Sequence, residues 1–164
     1  MAGARPGPDG GTADALVVRS PLAGTVVRLE DVPDPVFAQA MVGPGVALEP
    51  AEDGTRVVAP ADGRVATVFP HAIALETASG RTVLVHLGID TVRLAGAGFT
   101  VHVAAGDDVR AGDELVTWTP GDVAAAGLAT VCPVVALQGE ADAVEVLVRP
   151  GAEVQAGEPL LAWS

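Results

Sequence analysis

Three histidines, one cysteine and no lysine bound the covalent chemistry open to this chain of 164 residues. Without lysine there is no P-loop amine, no Schiff base and no attachment point for biotin or lipoate. Cys132 alone allows neither an internal disulfide nor a cysteine-built zinc centre. That leaves His71, His86 and His102, of which the first two are placed as a pair. The apolar runs 71–77 and 82–87 flank the turn sequence Ala78-Ser79-Gly80-Arg81 and read as a hairpin. A two-residue loop at Ala78-Ser79 sets His71 directly opposite His86, with Cβ atoms ~4.5–5.5 Å apart. A four-residue loop leaves them diagonal on one face; an odd loop puts them on opposite faces. Phe69, Ile73, Leu84 and Val85 make the surroundings apolar. Two imidazoles in such a frame have three uses. They could hold a metal, although two ligands fall short of the usual three or four. They could do acid–base work. Or one could take a phosphoryl group as nucleophile while the other steadies it, the apolar rim slowing its loss to water.

The elements that must position them are short. Twenty glycines and thirteen prolines punctuate valine-rich runs of mostly four to seven residues, from residue 16 to residue 163. That spacing belongs to an all-β sandwich or barrel and not to βαβ units. Two short helices are predicted. One has Asp34 as N-cap and Pro35 in its first position, with Gly43 beyond its end. The other has Asp122 as N-cap, runs over 123–126 and stops at Gly127. The chain also repeats itself. Ser20-Pro-Leu-Ala-Gly24-Thr-Val26 matches Ala59-Pro-Ala-Asp-Gly63-Arg-Val65, and Val103–Trp118 matches Val148–Trp163 through Gly-x-x-Val-x-x-Gly-x-x-Leu. Two separate repeats predict a duplicated β unit with pseudo-twofold symmetry.

The formal charge of −12 argues against a nucleic-acid backbone or an anionic membrane surface and suits a basic protein partner. Residues 1–14, rich in Gly, Pro and Ala, read as a disordered lead-in to one domain over 15–164. No signal peptide or spanning helix is recognisable, and a reduced, cytoplasmic protein is expected. His102 is expected at the surface without a partner. Cys132, before a proline in a strand, is expected to be a small buried hydrophobe.

The run Gly80-Arg-Thr-Val-Leu-Val-His86-Leu-Gly88-Ile-Asp90-Thr-Val-Arg-Leu94-Ala-Gly96-Ala-Gly98-Phe99 closely resembles the active-site signature of glucose-type enzyme IIA domains of the bacterial sugar phosphotransferase system. Ser20-Pro-Leu-Ala-Gly24, Asp31-Val-Pro-Asp34-Pro-Val-Phe37-Ala, Met41-Val-Gly-Pro-Gly45 and Val131-Cys-Pro-Val-Val135 extend the resemblance over residues 16–164, in the family's order. It implies an antiparallel β-sandwich, a barrel-sandwich hybrid with a duplicated motif and short helical turns. His86 matches the histidine that is phosphorylated, and His71 the one that assists through the phosphoryl oxygens. The carbonyl of Gly88 would accept from His86 Nδ1–H and leave Nε2 free to attack. The implied partners are the phosphocarrier HPr, which donates the phosphoryl group, and a IIB domain whose cysteine receives it during sugar uptake, with glucose or N-acetylglucosamine as the sugar. Val36, Phe37, Met41, Val42, Phe69 and Val92 match or neighbour the family's apolar docking patch. Asp34 and Asp90 match acidic positions beside the site, where an HPr arginine could bridge them. No nucleic acid, no membrane insertion, a monomer and no required cofactor are expected, although His71 and His86 could trap adventitious Zn²⁺.

In one respect the chain departs from the family. Many relatives carry two further residues before the second histidine, one a Thr whose hydroxyl orients the ring; here Phe69-Pro70-His71 is tight. Either a backbone carbonyl replaces that hydroxyl or His71 is held more loosely. Two rival classes fit less well. A zinc metallopeptidase of related architecture wants a His-x-His pair, which His86-Leu-Gly88 breaks. A biotinyl or lipoyl carrier shares the glycine-turn pattern but requires the missing lysine.

Overall fold

The computed structural model describes residues 15–164, so the lead-in expected over residues 1–14 lies outside the described residues. The strands are β1 (Leu16–Arg19), β2 (Gly24–Val27), β3 (Gly45–Pro50), β4 (Arg56–Val58), β5 (Gly63–Phe69), β6 (Ala72–Glu76) and β7 (Thr82–His86). They continue as β8 (Phe99–Val101), β9 (Asp108–Val109), β10 (Glu114–Trp118), β11 (Cys132–Ala136), β12 (Val144–Val146), β13 (Glu153–Val154) and β14 (Pro159–Trp163). Two helices of about one turn, α1 (Pro35–Ala38) and α2 (Pro120–Ala125), join them. One sheet has eight strands in the order β13-β2-β3-β11-β7-β6-β5-β9; two three-stranded sheets run β1-β14-β12 and β4-β10-β8. Every strand pairing is antiparallel. The architecture is the β-sandwich read from the sequence, and no barrel closes. The main core lies between the large sheet and the two small ones. Val46, Leu48, Ile73, Leu75, Val83, Val85 and Val134 face Val57, Leu115, Trp118, Leu160, Leu161 and Trp163 there.

The internal repeats are pairwise equivalent in three dimensions. β9 and β10 lie 45 residues before β13 and β14, from the Asp108 and Glu153 starts onward. β13 caps β2 through Val154↔Gly24, and β9 caps β5 through Gly63↔Val109. The two units therefore close opposite ends of the large sheet. They meet where Arg19 N–H donates to Pro60 O at 2.8 Å and Val58 N–H donates to Pro21 O at 2.7 Å. Val109 and Val154, Leu115 and Leu160, and Trp118 and Trp163 are buried in equivalent places, as the repeat predicts.

The first helix has the predicted cap: Asp34 Oδ1 accepts from Val36 N–H at 2.8 Å, with Pro35 next in line. The second differs. Its N-cap is Thr119 and Asp122 lies inside the first turn. Pro120 has a fixed φ and no N–H to leave unpaired, so it claims the first position three residues before the expected start. Its end is as predicted. Gly127 takes φ +81, and Gly127 N–H and Leu128 N–H bond back to Ala124 O and Val123 O.

A second, smaller apolar cluster lies on the outer face of the large sheet: Leu29, Val32, Phe37, Ala47, Ile89, Val131 and Val135. Along β7, Val83 and Val85 enter the main core while Leu84 packs against this second cluster. His86, two residues beyond Leu84, emerges on the same outer face.

Candidate functional site

The hairpin that carries the site does not have the expected register. β6 and β7 pair through Ala72↔His86, Ala74↔Leu84 and Glu76↔Thr82. Thr77 N–H bonds Arg81 O, and Gly80 N–H bonds Thr77 O. The loop is therefore the odd, three-residue one, Ala78-Ser79-Gly80. Gly80 supplies the left-handed residue at φ +85 that a type I turn with a following bulge requires. With this register His86 stands opposite Ala72, and His71 is one residue out of phase.

The two rings nevertheless meet, with centroids 5.2 Å apart and planes at 71°. The reason is that His71 is not in a strand. Phe69 pairs with Ala72, so Pro70-His71 is the tight connection between β5 and β6. Strand alternation does not govern a side chain in that turn. Leu87 N–H donates to His71 O at 2.7 Å and pins its backbone beside the end of β7.

His86 is held on two sides. Its Nδ1 lies 2.6 Å from Gly88 O, as expected from the resemblance. Phe37 meets the ring edge-on at 5.2 Å and 60°. A carbonyl can only accept, so Nδ1 carries the proton and Nε2 keeps its lone pair. The turn that presents this carbonyl has no room for a side chain. Gly88 takes φ +74, and a Cβ there would come 2.7 Å from Thr91 Cγ2 and 2.9 Å from Ala129 O. Thr91, buried, donates its hydroxyl to Leu87 O at 2.7 Å, while Ile89 N–H bonds Ala129 O. Thr91 was not singled out in the sequence. A fully buried threonine five residues after a candidate nucleophile becomes visible only once burial is known.

His71 makes no side-chain hydrogen bond among the described residues. Its ring stacks on Phe69 at 5.8 Å and 26°. Neither a hydroxyl nor a carbonyl takes the place of the absent Thr; an aromatic face does. Burial lowers the pKa of both imidazoles. At His86 burial is the largest influence; the Gly88 hydrogen bond opposes it, His71 reinforces it, and Asp34 and Asp90 oppose it. The net shift is downward, which favours the neutral form of both rings.

Around this pair Val36, Met41, Phe69 and Val92 stand exposed, Met41 at 69 % and Val92 at 64 %. Val42 is half-buried. Phe37 departs from the expected patch: at 7 % exposure it belongs to the second cluster and walls His86. A ring this buried offers a partner little surface of its own. Asp34 is half-buried at the start of α1, and Asp90 is exposed in a left-handed conformation, φ 62, just after the Gly88 turn. Among the described residues no group of three His, Cys, Asp or Glu could hold a metal ion. Cys132 is buried and its thiol donates to Thr130 O. His102 is not without partners: its Nε2 lies 2.7 Å from Thr117 Oγ1 and 4.0 Å from Glu114 Oε1. The pairing of β8 with β10 sets them side by side, which the sequence did not reveal. No described helix is long and apolar enough to cross a membrane.

Known proteins resemble this chain in sequence and fold. The family described as phosphoenolpyruvate-dependent sugar phosphotransferase system, EIIA 1, matches residues 16–142. The chain is 44% identical over 148 residues to the glucose-specific EIIA component of the PTS system of Halalkalibacterium halodurans, covering 88% of this chain and 83% of that protein. It is 48% identical over 120 residues to a glucose-specific EIIBCA component from Corynebacterium glutamicum, covering 72% of this chain and 18% of that longer one. The structure of glucose permease IIA from Mycoplasma capricolum superposes with a TM-score of 0.81 at 33% identity, covering 91% of this chain and 96% of that one.

Proposed function

The chain belongs to the EIIA 1 family of the phosphoenolpyruvate-dependent sugar phosphotransferase system, and on that premise we propose that it is a phosphoryl carrier working through His86. Phospho-HPr docks on the exposed rim of Val36, Met41, Phe69 and Val92. Asp34 and Asp90 receive the basic side chains of that partner, in keeping with the net charge of −12. The lone pair of His86 Nε2 attacks phosphorus in line. The N–P bond forms as the bond from phosphorus to the donor breaks, and the donor leaves with that electron pair. The Nδ1 proton stays in its hydrogen bond to Gly88 O throughout. It thereby stabilises the positive charge that the ring acquires on substitution.

His71 donates a ring N–H to a phosphoryl oxygen. In the onward step a cysteine thiolate of a IIB domain attacks phosphorus, and the electron pair of the N–P bond returns to Nε2. The match to part of an EIIBCA chain supports that hand-off. The reaction belongs to the cytoplasm, in a monomer, and needs no metal, since the nucleophile is an imidazole.

One observation carries the reading most of the weight: a nitrogen fixed at 2.6 Å to an acceptor-only partner, with a second imidazole 5.2 Å away. The test is incubation with phosphoenolpyruvate, enzyme I and HPr, followed by mass measurement. One acid-labile phosphoryl group is expected on the wild type and none on His86→Ala, with the fold of the variant checked by circular dichroism. Normal labelling of His86→Ala removes the assignment.

A further inference from the structure

The outer face of the large sheet carries a row of three residues directly across neighbouring strands: Phe69 on β5, Ala72 on β6 and His86 on β7. Cross-strand partners point to the same side. Strands lie ~4.8 Å apart, so the outer two members of the row stand about 10 Å apart. The middle member is alanine, which leaves that gap unfilled. The ring in the gap is that of His71, delivered from the turn, 5.8 Å from Phe69 and 5.2 Å from His86. Phe69 faces this side because of a bulge in β5. Val65 pairs with Leu75 and Thr67 with Ala74, so one extra residue shifts the alternation. Without the bulge Phe69 would share the face of buried Val65.

We propose that Phe69 is a positioning residue for His71: with Ala72 it forms a slot one ring wide beside His86, and stacking in that slot sets the plane of the His71 ring. The inference rests on the phosphoryl-transfer reading for the role of His71. Among the described residues the His71 ring has no hydrogen-bond partner, and its ring contacts are the stack on Phe69 and the edge contact with His86. A ring free to turn would offer its N–H to a phosphoryl oxygen only part of the time. Phe69 is 53 % exposed, more than a residue kept for the core would be, so its removal costs little stability.

The experiment uses the full chain with Phe69→Leu and Phe69→Trp. Two quantities are read: the NMR shifts of the His71 ring protons, and kcat and KM for transfer from the phosphorylated chain to a IIB domain. Phe69→Leu is expected to remove the ring-current shift at His71. It should also lower kcat by about tenfold, the scale of a misplaced reacting group, while KM changes less than about twofold. Phe69→Trp should restore both. On a His71→Gln background Phe69→Leu should leave kcat unchanged within about twofold, because the two then act through one group.

Unmoved His71 signals in Phe69→Leu overturn the inference. So does a rise in KM with kcat intact, which makes Phe69 a docking residue only, or an equal fall in kcat on the His71→Gln background. Failure of the parent reading looks different: the wild type is not phosphorylated at all, while the NMR comparison still decides whether the slot holds the ring.

Discussion

The proton on His86 Nδ1 has one acceptor, Gly88 O, and that fixes which nitrogen can react. The lowered pKa adds to this, since the lone pair on Nε2 exists only in the neutral ring. The labelling rate should therefore hold from pH 8 down to the ordinary imidazole value near 6.5 and fall below it, as rapid-quench measurements across pH would show. Stability follows the same sign. Below about pH 6.5 the unfolded chain takes up protons at His86 before the folded one does. Stability then declines as pH falls from about 6.5 towards the lowered folded value and levels off beneath it. His86→Gln should remove most of that slope in urea melts, whereas His71→Gln, at a more exposed site, should remove less. In transfer assays His71→Gln should still be labelled at His86 but pass the group to IIB about 10²-fold more slowly, since Gln can donate a hydrogen bond but cannot take up the proton that an anionic phosphoryl group beside His71 would favour. Unchanged transfer would remove His71 from the mechanism.

At the scale of elements, the site depends on two turns. The Gly88 turn aims a carbonyl back at the ring two residues earlier, in a conformation and a space that exclude any side chain. Gly88→Ala should cost ~2 kcal/mol or more from the positive φ and the contacts with Thr91 and Ala129. It should also slow labelling, because the backbone has to move away from Nδ1; thermal melts and the labelling assay together check both. The Pro70-His71 connection does the opposite job. It releases His71 from strand alternation, so that a hairpin with an odd loop still brings two histidines together. The Asp34 cap sets the start of α1, whose Phe37 then reaches the edge of the His86 ring.

At the scale of the molecule, the two repeated units build the sandwich while the site lies on the outer face of the large sheet, beside the second cluster. That face has an apolar rim, two carboxylates and the field of a chain charged −12. Transfer from phospho-HPr should slow with salt through KM, roughly tenfold from low ionic strength to about 0.5 M. A rate independent of salt would deny the carboxylates a docking role. Added Zn²⁺ should also compete, by occupying the imidazole nitrogens that phosphorus needs. Chelator should then restore or raise labelling, in an assay where enzyme I keeps its own metal. Loss of labelling on chelation, recovered with zinc, would overturn a metal-free mechanism.

The sequence by itself determined whatever depends on local pattern. Valine-rich runs between glycine turns define the strands, the Asp34-Pro35 start defines α1, and the two repeat pairs, the longer one set 45 residues apart by its Gly and Trp positions, define the duplicated unit. The signature around His86 pointed to the proposed nucleophile and to the carbonyl that holds its ring because both lie within three residues of each other. Tertiary structure alone decided how His71 reaches His86. The parity of a hairpin loop depends on whether Gly80 adopts φ +85, and the face shown by Phe69 depends on a bulge; neither has a distinct residue pattern. Burial is likewise a property of the assembled layers. Phe37 and Phe69 are the same residue type in the same recognised patch, yet one became a wall of the site and the other its exposed rim, because only Phe37 is packed into the second cluster.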